Sequence, residues 1–288
     1  MSYRNFVPTV WAAGIQRDLA RKCVALEDCH REYEGEIKKA GDSVRILGLG
    51  KVTITKHDPK KPIVLSDPET IEDASQIMYV DQLYTYHYRV DDIDEAQAKE
   101  NVDAALKGDT SDELASAVDS YIFSLAGTKE APLLYKEPIR IGSNESKLTE
   151  GEKYILDVFD EAREYLLERD VRDSTKIVAT FSPRINRLMA KARRIEDTNN
   201  SKILDNGLVG YYSKTTLKMS NNVYRDTAKK VEYVMVRTQR AIAAVEAINE
   251  CEAYRPEKGF SDAIKGKFLH GAKIVRPKEI VVIPIIYA

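Results

Sequence analysis

Asn5-Phe6-Val7-Pro8-Thr9-Val10-Trp11 and Tyr33-Glu34-Gly35-Glu36-Ile37-Lys38-Lys39-Ala40-Gly41-Asp42-Ser43-Val44-Arg45-Ile46 stand near the start of the chain. Near its end stand Glu252-Ala253-Tyr254-Arg255-Pro256-Glu257-Lys258-Gly259-Phe260-Ser261-Asp262-Ala263-Ile264-Lys265-Gly266 and Gly271-Ala272-Lys273-Ile274-Val275-Arg276-Pro277. None of these blocks holds a nucleophile with a base, a metal cage or a phosphate cradle. They specify shape instead. Pro8 and Thr9 open a helix, and Trp11, Ile15, Leu19, Cys23 and Leu26 put one apolar stripe on it. A short helix of this kind is marginal alone in water, so the arm must dock on something.

Outward from the first blocks, Val44 and Ile46, then Val52 and Ile54, flank Gly48-Leu49-Gly50-Lys51 and predict a hairpin. The tract from Lys56 to Pro68 is rich in proline, lysine and aspartate, with too few apolar residues for a core, so it is expected to project from the body. Val80, Gln82, Tyr84, Tyr86, Tyr88 and Val90 share one face of a strand by alternation. Asp91-Asp92-Ile93-Asp94-Glu95 then starts a helix, acids sitting where the macrodipole favours them. Helical patterns run through Ala98, Val102, Ala105 and Leu106 and through Leu114, Ala117, Val118, Tyr121, Ile122 and Leu125. Gly108 separates them, with Thr110 and Glu113 as a capping box, so one bent helix and two consecutive helices both fit.

Residues 127–148 have the composition of a loop. Thr149 and Glu152 cap a helix striped by Ile155, Val158, Phe159, Ala162, Tyr165 and Leu166. A strand over 176–181, a helix begun by Ser182-Pro183, and strands near 208–219, 231–237, 268–275 and 279–286 complete an α+β chain.

The 288 residues suffice for a substantial core, and 43% hydrophobic with 31% charged residues is ordinary globular composition. With 44 basic and 46 acidic residues the net charge is -2, unlike the basic excess of a dedicated nucleic-acid binder. The apolar run Ile280-Val281-Val282-Ile283-Pro284-Ile285-Ile286 is far shorter than the roughly 20 residues of a spanning helix, so no membrane partner is expected. No secretory signal is visible, and Cys23, Cys29 and Cys251 lack metal or redox spacing. Free thiols in the cytoplasm are the expectation.

Several residue groups invite a chemical reading and fail it. A Walker loop ending in Gly50-Lys51 needs glycine where Arg45 stands and Ser or Thr where Val52 stands. A calcium loop from Asp92 needs glycine at the position of Gln97. Cys29, His30, Glu32 and Glu34 offer one Cys and one His, while His57, His87 and His270 are scattered. Arg184, Arg187, Lys191, Arg193 and Arg194 form the strongest basic cluster, either a solvated helix face beside Glu196 and Asp197 or a contact to phosphate or a pore lining. No catalytic, metal or cofactor residue is assigned.

The quoted blocks nevertheless resemble, in order, one family: the major capsid proteins of tailed double-stranded DNA bacteriophages. The first two are similar to that family's N-arm and the start of its extended E-loop. Asp91-Asp92-Ile93-Asp94 followed by Ala115-Ser116-Ala117-Val118-Asp119-Ser120-Tyr121-Ile122 resembles the lead into its long spine helix. Val209-Gly210-Tyr211 with Met219-Ser220-Asn221-Asn222-Val223 resembles its strand pair ending in a Ser-Asn-Asn turn. The resemblance implies the tailed-phage major capsid fold, an α+β fold shared with encapsulins. Its parts would be an N-arm over residues 1–35, an E-loop region over 36–80 and a P-domain with the spine helix over 81–130. An A-domain over 131–254 and P-domain return strands over 255–288 would follow, the helix at 149–169 being assignable to either domain.

The same resemblance implies hexamers and pentamers closing into an icosahedral shell around packaged DNA, built in the host cytoplasm and residing in the virion. Subunit contacts would come from Phe6, Trp11, Ile15 and Leu19 of the arm. Val44, Arg45, Ile46, Lys51, Val52, Thr53, Ile54, Lys60 and Lys61 of the E-loop would supply others. The chain begins on the arm without a long helical extension, so a separate scaffolding protein, or removal of such a segment, is expected, with a portal protein as a further partner. Lys56, Lys60 and Lys61 have no identifiable partner asparagine, so covalent cross-linking is not expected. Two other readings remain: an encapsulin-like nanocompartment and a soluble enzyme with a carboxylate site.

Overall fold

The computed structural model describes residues 23–32, 43–46, 76–91, 102–144, 148–172, 174–192, 208–256 and 261–287. Two sheets of different character organise them. The first contains β6 (Ile177–Phe181), β7 (Leu208–Tyr212), β8 (Thr215–Met219), β9 (Arg225–Asp226), β10 (Val231–Thr238) and β13 (Ile280–Ile286). Its order is β13-β10-β6-β8-β7, with β9 on the β6 side of β10. The β6–β8 pair is parallel and the other pairs are antiparallel. β7 and β8 meet in a two-residue turn whose Ser213 and Lys214 both have positive φ, the geometry that matches the right-handed twist of a hairpin.

The second sheet is long and narrow, in the order β11-β12-β3, from β3 (Gln82–Asp91), β11 (Ile242–Tyr254) and β12 (Ser261–Ile274). Two small pairs complete the strands: β1 (Ser43–Ile46) with β2 (Gln76–Tyr79), and β4 (Arg140–Gly142) with β5 (Glu152–Tyr154). β1 thus runs antiparallel to β2, and the expected hairpin partner at 52–54 lies outside the described residues.

Among the described residues, three helices pack on this framework: α1 (Val102–Ser124), α2 (Ile155–Leu167) and α3 (Pro183–Ala192). α1 runs unbroken through Gly108-Asp109-Thr110, which decides between the two sequence readings. A Cβ at Gly108 would meet nothing, so the glycine faces open space and the helix tolerates it. Thr110 and Glu113 therefore lie inside a helix and form no cap. Likewise, α2 starts after the position expected from Thr149 and Glu152. The Glu152 carboxylate does accept the Thr149 N–H at 3.0 Å, but residues 152–154 are claimed first by pairing with β4.

Period-two alternation in the six-stranded sheet separates two cores. Ile177, Ala179, Phe181, Leu217, Val234, Val236, Val281, Ile283 and Ile285 face α2 and α3, meeting Ile155, Phe159, Ala162 and Leu166. Met235, Ile280 and Val282 face the other way, toward Leu114, Val118, Ile122 and Phe123 of α1 and Phe268 and Ile274 of β12. The outer edge of β13 is covered by the segment 132–139, whose Leu134 and Ile139 N–H groups bond Val282 and Pro284 carbonyls. Pro284 would have turned its missing N–H toward that same segment, so proline costs the sheet no bond to β10 there.

A third, smaller cluster seats β1 and β2 under the long sheet through Ile46, Met78, Val80, Ala243, Val245 and Leu269. Gly271 permits that approach, since a Cβ there would sit 2.6 Å from the Tyr79 carbonyl oxygen. β13 therefore belongs to the sheet of the middle region, while β11 belongs with β12 and β3.

Candidate functional site

On the face of the six-stranded sheet opposite α2 and α3, the alternation of β10, β6 and β8 turns up Arg237, Thr180 and Lys218 instead of hydrocarbon. All three are buried. A buried cation is expensive unless paired, so these strands require a charged or polar cover. The cover is the N-terminal segment 23–32, with its short 3-10 turn Leu26–Asp28.

Asp28 is 1% exposed and Lys218 3% exposed, and their charged atoms lie 2.7 Å apart. Lys176 reaches the other Asp28 oxygen at 2.8 Å, and Glu27 adds a contact to Lys218 at 2.6 Å. The Arg237 guanidinium donates to the carbonyls of Ala25, at 2.8 Å, and Asp28. From α1, the Asp119 carboxylate accepts the N–H groups of Val24 and Ala25, both at 2.9 Å. His30 then forms a parallel bridge to Ala243, through His30 N–H to Ile242 and Ala244 N–H to His30. The segment is fastened by α1, β8, β10, β11 and Lys176, just ahead of β6, together.

Opposed effects set the protonation of the two carboxylates. Burial would raise Asp28, but Lys218 and Lys176 outweigh it and hold the group below its ordinary value. Burial dominates at Asp119, where the two backbone N–H bonds and the more distant Arg237 and Lys218 compensate only in part, leaving it at about 6. The Cys23 thiol is driven upward by burial first and by Asp119 second, and Cys29, also raised by burial, donates to the Ala25 carbonyl at 3.2 Å. Neither thiol is a nucleophile in this setting. Cys29 and His30 belong to the fastening, and among the described residues no three His, Cys, Asp or Glu side chains converge as a metal site requires. The arrangement can fix an arm by charge; it offers no proton-transfer pair to a substrate.

The residues expected from sequence fall in different places. Ile46 is buried in the small cluster under the long sheet, while only the backbone of Val44 and Arg45 is described, on β1. Phe6, Trp11, Ile15, Leu19, Lys51, Val52, Thr53, Ile54, Lys60 and Lys61 lie outside the described residues, as do Arg193 and Arg194. Arg184, Arg187 and Lys191 lie along one side of α3, with Arg187 and Lys191 exposed. The stripe expected to run through Cys23 and Leu26 does bury both, but in an irregular segment with a 3-10 turn. Asp28, Asp119, Lys218 and Arg237 escaped the sequence reading. Their signal is a lone charge inside an apolar pattern: Arg237 after Val234-Met235-Val236, and Asp119 on the Ala115, Val118 and Ile122 face.

The long sheet carries its own pattern. Tyr84, Tyr86 and Tyr88 line one face of β3 as expected, with Tyr84 stacked on the buried His270 at 5.3 Å. The opposite face is a cross-strand ladder, Lys265–Glu252 at 2.9 Å and Lys267–Glu250 at 2.8 Å, with His87 bonded to the Tyr254 hydroxyl at 2.9 Å.

No family model matches the chain, and no curated protein sequence matches it. Solved structures do. A chain of Mycobacterium phage Che8 aligns with TM-score 0.68 and 23% identity over 91% of this chain and 90% of that one. The capsid of Cyanophage P-SCSP1u gives TM-score 0.66 and 14% identity over 93% and 90%. A virus-like particle from Pyrococcus furiosus gives TM-score 0.58 and 12% identity over 97% and 99%. The chain has the α+β fold that the phage capsids share with the virus-like particle.

Proposed function

We propose that this chain is a major capsid protein, a subunit that builds an icosahedral head from copies of itself around double-stranded DNA. The observation that carries the reading is the extent of the likeness: nine-tenths of this chain and of a phage capsid chain coincide. The greater number of phage chains among the similar structures supports ranking the nanocompartment reading second.

The architecture fits the role physically. The long three-stranded sheet and α1 make an extended P-domain, and the six-stranded sheet with α2 and α3 makes an A-domain. The pairings of β11 and β13 support drawing the boundary by sheet, with β11 in the former and β13 in the latter. Hexamers and pentamers would arise from head-to-tail contacts that close by rotation. Phe6, Trp11, Ile15 and Leu19 of the arm would supply contacts, as would the E-loop from Val44 through Lys61. A scaffolding protein, a portal and the enclosed DNA complete the proposed partners, with assembly in the bacterial cytoplasm.

Deleting the tract from Lys51 to Asp73 tests this. The variant should keep the circular dichroism and melting of the parent yet elute as small oligomers where the parent, with its scaffold, elutes as shells. Normal shells from the variant, or an unfolded variant, would remove the E-loop from the account.

A further inference from the structure

Three loops meet at the end of the six-stranded sheet where β6 and β13 begin and β10 ends. They are the α2–β6 connection, the β10–β11 turn and the β12–β13 turn, and they enclose a cleft of about 780 Å³. Arg169 and Arg172 come from the first loop, Arg240 from the second, and Arg276 and Lys278 from the third. Against these five cations the described lining residues set only two carboxylates, Asp170 and Glu279.

The cations are held ready. Glu279, recessed at the β12–β13 turn, accepts the Thr238 hydroxyl at 2.5 Å and pairs with Arg276 at 2.9 Å and Arg240 at 3.7 Å. Arg169 lies 3.8 Å over the Tyr165 ring. Arg172 and Lys278 are exposed at the rim. Like charges crowded into one cleft repel, and a bound polyanion relieves that repulsion.

We propose that this cleft binds the phosphate backbone of double-stranded nucleic acid. Guanidinium forks match phosphate oxygens with two parallel N–H donors. The lining favours phosphate over an acidic peptide, because it consists of loops and offers no strand edge to pair with a peptide backbone. Among the described residues its apolar members are Val171 and Pro277, too few to hold peptide side chains. The binding is therefore by charge, independent of sequence and strongly salt-dependent. It goes beyond the shell reading, and it uses residues distinct from Arg184, Arg187 and Lys191, the helix-face candidates for a phosphate contact.

The test is fluorescence anisotropy of a short mixed-sequence DNA duplex titrated with the full chain over a range of salt. Compared are the parent, the double variant Arg172→Ala/Lys278→Ala and the control Lys129→Ala/Lys136→Ala, two exposed lysines outside the cleft. The cleft variant should bind on the order of tenfold more weakly, and its log affinity against log salt should flatten by about 1.8, about 0.9 per lost phosphate contact. Its melting temperature should be unchanged, and the control should match the parent. The proposal is overturned if the parent does not bind duplex at low salt, or if the cleft variant keeps the parent's affinity and slope. Equal loss in the control also overturns it. So does displacement of DNA by polyglutamate of equal charge with altered subunit association in the cleft variant, which would assign the cleft to an acidic protein partner. Particle formation, scored separately by sedimentation, distinguishes failure of this proposal from failure of the shell reading.

Discussion

The two faces of the six-stranded sheet are held by different means. Toward α2 and α3 the strands present Phe181, Leu217, Val234, Val236 and Ile283, and the contact is mainly hydrocarbon, with the buried Glu232 accepting the Ser182 hydroxyl at 2.9 Å. Toward the N-terminal segment the same strands add Lys218 and Arg237, whose salt bridges and hydrogen bonds stand beside the apolar cluster that Met235, Ile280 and Val282 share with Leu26 and Cys29. Apolar packing is non-directional and insensitive to pH, so it makes a permanent core. A charged seat is directional and tunable. The difference identifies the α2 side as the rigid body of the subunit and the segment 23–32 as an attached element with its own stability.

The largest effect should come from the apolar face. Phe181→Ala removes a ring that meets Phe159 edge-on at 5.9 Å in a fully buried site. It should cost about 3–5 kcal/mol and lower the melting temperature of the whole body. Lys218→Ala strikes the other face, leaving Asp28 buried with Lys176 as its remaining cation. Its cost should be about 3 kcal/mol, the lower end for a broken buried pair, and should fall locally. Hydrogen exchange should then show lost protection at Val24, Ala25 and His30, while β10 amides stay protected. If both variants melt the entire molecule alike, the faces are not independent and the comparison breaks.

The smallest effect is a pH dependence, and at the charged face it comes from two carboxylates. Asp119 is raised from 3.8 to about 6, so its contribution is fully present below 3.8 and is lost as pH rises through about 6. Asp28 is lowered, so its contribution is present above 3.8 and is lost as pH falls through its folded value. Protection factors at Val24 and Ala25 should therefore decline from about pH 4 to pH 7, and Asp119→Asn should flatten that decline. His270 works in the reverse sense: burial holds it near 4, so its contribution is present above 6.5 and fades on acidification. It sits among Tyr84, Tyr121 and Phe268, away from the segment, and should appear in β12 amides instead.

How much of this was legible in the sequence follows from the range of the forces. The stripe Ile155, Val158, Phe159, Ala162 and Leu166 and the alternation of Tyr84, Tyr86 and Tyr88 are local patterns, and both elements formed where the pattern placed them. β11 was not legible. Ile242-Ala243-Ala244-Val245-Glu246-Ala247 is rich in good helix formers, and its strand geometry is imposed by pairing with β12. Gly108 left one bent helix and two consecutive helices both open, because helix propensity counts the residue alone, whereas packing of Leu114, Val118 and Ile122 holds α1 together.

The fastening joins positions as far apart as Asp28 and Arg237, and the basic cleft gathers Arg169, Arg240 and Lys278 from three loops. An overall charge of -2 conceals both. Only the third dimension assembles them.

The central proposal, that this chain builds a shell, is most directly tested by negative-stain electron microscopy of the purified chain co-expressed with the proposed scaffolding protein. The account predicts closed, uniform icosahedral particles with five- and six-fold capsomers. A monodisperse monomer or small oligomer under all conditions, scaffold present, would contradict it.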